Sequence, residues 1–292
     1  MVEQVELGTG GLVVPRLVLG TMAYGRHAAD HGARIRTIHA ALDRGVTAFD
    51  TAPLYEVGRA EILLGRAIAD RRARVQVLTK AGLRWDADHG EVLIDAVIDG
   101  RRTVVRRDSR PGSLRRDVEG SLRRLGVERI DLVQIHHPDA QVPIAEAIGT
   151  LVELHREGKL GAIGVSNFSV AQLAEAHAAA GAVGIASHQL PLSMLQQRAG
   201  GALLTQARAL GHGTLCYSPL AHGVLAGRGL TGALDAADDR RWLVEFSPDS
   251  LAAIRQVVQR IVVPIAARHD ATIAQVALAW VLAQPGADAV VV

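Results

Sequence analysis

The hydrophobic pattern repeats as a two-part unit: a short run rich in β-branched residues, a glycine or polar break, then a longer segment with apolar side chains at helical spacing. Eight runs read as strands, at residues 16–19, 47–50, 75–80, 130–136, 161–166, 185–189, 214–217 and 289–292. Helical spacing is plainest at 113–125, where Leu114, Val118, Leu122 and Leu125 form one stripe. Two helix starts carry capping boxes, Ser169-x-x-Gln172 and Thr272-x-x-Gln275, each offering a side-chain oxygen to an orphan amide. Runs such as VQVLT and DLVQI are apolar almost throughout, as parallel strands are when both faces are covered. A length of 292 residues fits either two domains or one α/β barrel. The eight βα units select the second, an α/β fold of the (β/α)8 TIM-barrel type spanning 1–292 as a single domain.

Two segments break the rhythm. Residues 1–15 turn around GTGG and predict a hairpin outside the barrel. The stretch 84–111 is too long for an ordinary connection, and its VLIDAVIDGRRTVV predicts a second hairpin around Asp99 and Gly100. This long insertion follows the third strand at the end where barrel enzymes build their sites, so it reads as a substrate loop.

Composition narrows the function classes. Hydrophobic residues at 49% and charged ones at 21% supply a large core and exclude a disordered or collagen-like chain. The 32 Lys+Arg and 30 Asp+Glu leave +2 with the basic residues scattered, which gives no basis for a nucleic-acid partner. The lone Cys216 excludes an internal disulfide, reads as a small core residue and suits a reducing cytoplasm. The start MVEQVELGTGG lacks a signal-peptide pattern, and no apolar run approaches the ~18 residues of a membrane span, so a soluble protein is expected. His27 and His31 stand four apart without a third ligand, so no metal is expected. The GxGxxG match from Gly227 to Gly232 lies well past its strand, the wrong context for a dinucleotide fingerprint, and GVSNF is not a hydrolase GxSxG elbow.

The predicted strands end on Gly20-Thr21, Asp50, Lys80, His136, Ser166-Asn167, Gln189 and Tyr217-Ser218, nearly all polar. Polar residues at strand ends are ordinary because strands meet loops there, but Lys80 is informative: an arginine-rich chain has only one other lysine, Lys159. A compact ammonium with a movable pKa suits a buried pair, and Asp50 on a neighbouring strand is its expected partner. Tyr55 follows Asp50 by five residues, and a nearby ammonium favours its ionised form, lowering a phenol pKa of ~10. With His136 hydrogen-bonding a carbonyl oxygen, the four residues suit protonation of an alkoxide during carbonyl reduction.

The stretches LGTMAYG, GVTAFDTAPLYEVGRAEILLGRAI, VLTKAGLRW, SLRRLGVERIDLVQIHHPD, GKLGAIGVSNFS, HQLPLSML and CYSPLAHGVLAG resemble an aldo-keto reductase over nearly the whole chain. RRDSRPGSLRRDVEGSLRRLG and QIHHPD look most like the bacterial subgroup of inositol-operon and general-stress reductases. The resemblance implies a barrel that binds NADP(H) without a Rossmann domain and a catalytic tetrad of Asp50, Tyr55, Lys80 and His136. It implies that Ser166, Asn167 and Gln189 hold the nicotinamide carboxamide and that Tyr217 stacks on the ring. Ser218, Leu220 and Gly223 would cradle the pyrophosphate, with Gly20, Thr21 and Met22 beside the nicotinamide and Tyr24 and Trp85 facing substrate.

Three departures stand out. His137 occupies the place of a usual tryptophan, and strand alternation predicts that His136 and His137 do not both face the site, leaving His137 as a changed rim of the substrate pocket. His188 replaces a common asparagine. The chain stops at AQPGADAVVV, short of the basic loop and final helix of relatives, so the expectation is either a missing tail or a reduced 2′-phosphate site with poor discrimination between NADPH and NADH, unless Arg228 compensates. Partners are then a small carbonyl or alcohol substrate. Two alternatives stay open: a slow-turnover regulatory protein that keeps the cofactor, and a sugar or cyclitol dehydrogenase working in the oxidative direction.

Overall fold

The computed structural model describes residues 2–8, 10–22, 31–98, 101–198, 200–227 and 243–292. Tyr24, His27, Asp99, Gly100, Arg228, Gly229 and Gly232 lie outside the described residues.

Eight parallel strands close a barrel: β3 (Leu17–Gly20), β4 (Ala48–Asp50), β5 (Gln76–Ala81), β9 (Ile130–Ile135), β10 (Leu160–Ser166), β11 (Ser187–Pro191), β12 (Gly213–Tyr217) and β13 (Ala289–Val291). Each matches an expected run to within two residues. Ring closure is a backbone matter: β13 pairs with β3 through Val290 opposite Leu17, and the Gly20 amide donates to the Val292 carbonyl at 2.7 Å.

Side-chain alternation explains why the strands are apolar on both faces. Val18, Ala48, Leu78, Leu132, Ala162, Leu215 and Ala289 cluster inside the barrel, while Phe49, Val77, Val133 and Ile163 join Leu64, Leu114, Leu151 and Leu173 of the surrounding helices. Those helices are α2 (Arg59–Ile68), α3 (Pro111–Leu125), α4 (Ile144–Arg156) and α5 (Val170–Ala180), beside α1 (His31–Asp43), α6 (Gly201–Ala209), α7 (Pro248–Val257), α8 (Val263–Arg268) and α9 (Ile273–Leu282). The expected stripe on α3 buries Leu114, Val118 and Leu125, and both capping boxes form, at Ser169 and Thr272.

The N-terminal hairpin of β1 (Gln4–Leu7) and β2 (Leu12–Pro15) buries Leu7 and Val14 against the interior cluster and closes the end where the strands begin. Gly213 records how close this packing is: a Cβ there would lie 2.6 Å from Leu7 Cα. The insertion forms a three-stranded antiparallel sheet of β6 (Leu83–Arg84), β7 (Val92–Ile98) and β8 (Arg101–Arg107), in the order β6-β8-β7. The expected second hairpin is therefore present.

One helical stretch is apolar on average without containing a continuous apolar run. The helical stretch Pro248–Arg268 has 21 residues and a mean hydropathy of 1.3, long and apolar enough by those measures to span a membrane. Arg255, Gln256, Gln259 and Arg260 interrupt any continuous apolar run, which is why the sequence pattern passed over it. Leu251, Val258 and Val262 on this stretch pack into the satellite clusters around Ala221, Leu225 and Phe246.

Outside the barrel, His188 on β11 and His212 before β12 are buried, and the exposed His177 on α5 lies against His212. His177 Nδ1 and His212 Nε2 are 3.0 Å apart, and both ring nitrogens of His188 are buried without a partner. Burial pushes His188 and His212 down to about 4, helped in each case by the neighbouring histidine. Unfolded histidine titrates near 6.5, so the folded chain binds fewer protons than the unfolded chain between pH 6.5 and 4. This stability is complete above that window and is lost as pH falls through it. Acidification from pH 7 to 5 should cost about 2 kcal/mol per histidine in a urea titration, and His188→Leu should flatten the loss. Equal acid sensitivity in that variant would show that the folded chain protonates His188 at an ordinary histidine pH, so that its burial does not carry the loss.

Candidate active site

The strands' C-terminal ends open on a cavity of about 470 Å³. Asp50 ends β4, Lys80 sits one residue before the end of β5, His136 follows β9, Ser166 ends β10, Gln189 lies in β11 and Tyr217 ends β12. Inward alternation brings five of these groups from separate strands to one mouth, and His136 joins them just past the end of β9.

Lys80 is the centre of the arrangement. Its Nζ donates to Asp50 Oδ1 at 2.6 Å, to the Thr51 carbonyl at 3.1 Å and to the Tyr55 hydroxyl at 3.1 Å, using all three ammonium hydrogens. Asp50 is itself held from across the barrel, because Gln189 Nε2 donates to its Oδ2 at 2.8 Å. Lys80 and Asp50 are each only 2% exposed, so water cannot substitute for these partners. Tyr55 opens a short turn, Tyr55–Gly58, in which Glu56 and Val57 take φ of 47° and 55°. A β-branched residue in that left-handed region is costly, and surrounding packing has to hold it there.

The electrostatics correct the expected tuning of Tyr55. Burial pushes the phenol above its ordinary value, and Asp50 adds to this, whereas Lys80 pulls it down without prevailing. The expectation considered only the ammonium; the structure places that ammonium against a carboxylate that neutralises much of its field. Burial also opposes the Lys80 charge, but Asp50 and Tyr55 outweigh it and hold its pKa above the lysine value. At neutral pH the pair is therefore an ammonium beside a protonated phenol. His136 is pushed well below ordinary histidine by burial, then by Lys80 and His137, and is a neutral imidazole whose ring meets Tyr55 edge-on at 6.1 Å.

Asn167 joins the other side of the mouth. It adopts φ +63°, a conformation asparagine tolerates, and its Nδ2 donates to the His136 carbonyl at 2.9 Å and to Ser166 Oγ at 3.0 Å. Its Oδ1 accepts from the Tyr217 hydroxyl at 2.9 Å, which fixes that ring on the cavity wall. After Tyr217 the chain makes a concave turn through Ser218, Ala221, His222 and Gly223, all at positive φ, with the Ala221 and Gly223 amides donating to the Ser218 and Leu220 carbonyls. A flat half-buried ring, amide and hydroxyl groups beside it and this concave loop fit a nicotinamide dinucleotide lying along one wall.

Of the expected residues, Gly20, Met22, Asp50, Tyr55, His136, His137, Ser166, Asn167, Gln189, Tyr217, Ser218, Leu220 and Gly223 line the cavity. Lys80 lies directly beneath. Three expectations change. Thr21 is fully buried and donates its amide to the Asp50 carbonyl at 2.8 Å, supporting the site without lining it. Trp85 is half-buried away from the cavity, because the chain bends after β6 and presents Leu83 instead. His136 and His137 both face the cavity, with rings 5.5 Å apart and stacked at 23°: β9 ends at Ile135, so strand alternation no longer governs either residue. Leu54, Leu83, Leu93 and Ile94 were not singled out from sequence, although Leu93 and Ile94 lie within the expected substrate insertion.

Comparison with known proteins agrees with this geometry. The aldo/keto reductase family profile matches residues 16–292. Aldo-keto reductase YhdN of Bacillus subtilis is 32% identical over 292 residues, covering 98% of this chain and 83% of that protein. Probable aldo-keto reductase 1 of Glycine max is 34% identical over 294 residues, covering 99% and 79%. Among solved structures, the glycerol dehydrogenase AKR11B4 from Gluconobacter oxydans superposes with a TM-score of 0.86 at 34% identity, covering 98% of this chain and 85% of that one. The thermostable aldo-keto reductase Tm1743 in complex with the inhibitor epalrestat gives 0.74 at 28% identity, covering 99% and 88%.

The ion pair has a direct test in stability. Lys80→Met keeps the stem but leaves Asp50 buried without its cation, which should cost about 3–5 kcal/mol in denaturant unfolding. A loss below about 1 kcal/mol would mean that Asp50 finds water or a proton in place of Lys80.

Proposed function

The chain belongs to the aldo/keto reductase family, and we propose that it is an NADP(H)-dependent oxidoreductase that reduces an aldehyde or ketone to an alcohol, with Tyr55 as proton donor. The observation that carries this reading is the Asp50–Lys80–Tyr55 hydrogen-bond chain at the floor of the cavity. When bound, the nicotinamide supplies a hydride to the carbonyl carbon. The chain's own residues handle the oxygen. His136, neutral, donates a ring N–H to the carbonyl oxygen and polarises it. Tyr55, protonated at neutral pH, gives its proton to the developing alkoxide, and the Lys80 ammonium stabilises the phenolate that remains. Asp50 keeps Lys80 charged and aimed.

In the same reading, Ser166, Asn167 and Gln189 hold the carboxamide, Tyr217 stacks on the nicotinamide, and Ser218, Leu220 and Gly223 receive the pyrophosphate. Gly20 and Met22 flank the ring, with Thr21 buttressing them. The glycerol dehydrogenase relative favours a second direction for the same machinery, in which Tyr55 takes the proton of an alcohol as it is oxidised.

Tyr55→Phe removes the hydroxyl at nearly constant volume and should lower turnover by about 10²–10⁴-fold, with NADPH binding retained as quenching of intrinsic fluorescence. Near-normal turnover would refute Tyr55 as the acid. Wild-type chain that binds NADPH but consumes none with a panel of aldehydes and ketones would refute the reductase reading and favour a regulatory one.

A further inference from the structure

The stacked histidines at the mouth carry information that the proton-transfer reading leaves unused. The His136 carbonyl can only accept, so the Asn167 atom facing it is Nδ2, a donor. That same Nδ2, whose two hydrogens face the His136 carbonyl and Ser166 Oγ, lies 3.3 Å from His137 Nε2; an N–H on Nε2 would point at an amide nitrogen that cannot accept it, so the unprotonated ring nitrogen is the one that faces Asn167. The proton of the neutral His137 ring then sits on Nδ1. No hydrogen bond to Nδ1 exists among the described residues, and the ring lines the cavity stacked against His136. Burial, with Arg107 nearby, pushes His137 down to about 4, so this tautomer persists at neutral pH. Leu54, Leu83, Leu93 and Ile94 contribute hydrocarbon to the wall of the same cavity.

We propose that His137 selects the substrate: its Nδ1–H donates to an oxygen on the carbon next to the reacting carbonyl, while the leucines and Ile94 receive hydrocarbon, so small α-hydroxy ketones of the acyloin type are favoured. This rests on the reductase reading of the same cavity, in which His136 binds the reacting oxygen. The ring stacked 5.5 Å from His136 then offers a donor to an oxygen one carbon away. A polyhydroxylated sugar would leave several hydroxyls against apolar side chains, which is costly.

The test compares kcat/KM for acetoin and butanone, which differ by one hydroxyl, using NADPH with wild type, His137→Phe and His137→Asn. Wild type should favour acetoin by about tenfold or more, the worth of one hydrogen bond in a desolvated site. His137→Phe keeps a ring against His136 but has no donor, so the ratio should fall to near one. His137→Asn, whose amide nitrogen falls near the imidazole Nδ1 position, should recover part of the preference. A wild-type ratio near one, or an unchanged ratio in the phenylalanine variant, overturns the assignment, as does a preference for glyceraldehyde over acetoin. Loss of NADPH-induced fluorescence quenching in both variants would overturn it by placing His137 in the cofactor site. Absence of turnover with every carbonyl overturns the reductase reading itself, and is distinguished by NADPH consumption remaining at background in wild type.

Discussion

The buried charge of Lys80 is the constraint from which the upper half of the barrel follows. Taking an ammonium out of water costs several kcal/mol unless every hydrogen finds an acceptor in good geometry. Here the acceptors are a carboxylate at the end of β4, a carbonyl one residue beyond it and a phenol on the following turn. Satisfying one side chain therefore fixes the end of β4, the path of the chain to Tyr55 and the register of β5 against both. The strained turn at Glu56 and Val57 is intelligible in this light, since it delivers the Tyr55 hydroxyl to the third ammonium hydrogen.

The same constraint divides the interior into two layers. Toward the strand N-termini, Leu78, Leu132 and Leu215 fill the barrel with hydrocarbon, and the hairpin seals that end. Toward the C-termini the inward positions become polar, with Asp50, Lys80, Gln134, Ser187 and Gln189 all at most 2% exposed. Support for Lys80 also comes from outside the barrel. The adjacent Thr79 faces the helices and donates to fully buried Glu61 at 2.7 Å, and Glu61 accepts from Arg124 of α3 at 2.7 Å. Helices α2 and α3 thus grip the strand that carries the ammonium.

What the sequence disclosed, and what it withheld, divides along physical lines. Strand runs, capping boxes and the two hairpins depend on local periodicity and turn chemistry, and each was legible as such. Polar residues at strand ends pointed to the mouth because parallel barrels gather those ends. The bond from Gln189 to Asp50 was not legible, since it joins strands that become opposite only on closure. The net shift on Tyr55 was misjudged because it depends on how completely the phenol is buried and on the carboxylate that offsets Lys80. The assignment of His137 to one face failed for a smaller reason: the strand stops one residue earlier than its sequence pattern suggested, and alternation stops with it.

Asn167 shows how the two walls of the mouth are coupled. Its left-handed backbone turns one amide group toward three strands at once: the carbonyl following β9, the hydroxyl that ends β10 and the phenol that ends β12. A shift of the Tyr217 ring therefore pulls on the oxygen side of Asn167, while its nitrogen side holds the backbone of His136 and lies against His137. The platform expected to carry a nicotinamide and the wall expected to meet a carbonyl are joined through one rigid amide rather than through solvent. Hydrogen bonds sharing one donor group cannot all shorten independently, so a molecule that moves Tyr217 also alters the restraint on the two histidines. The walls expected to hold cofactor and substrate, though built on separate strands, are in this way tied to one side chain.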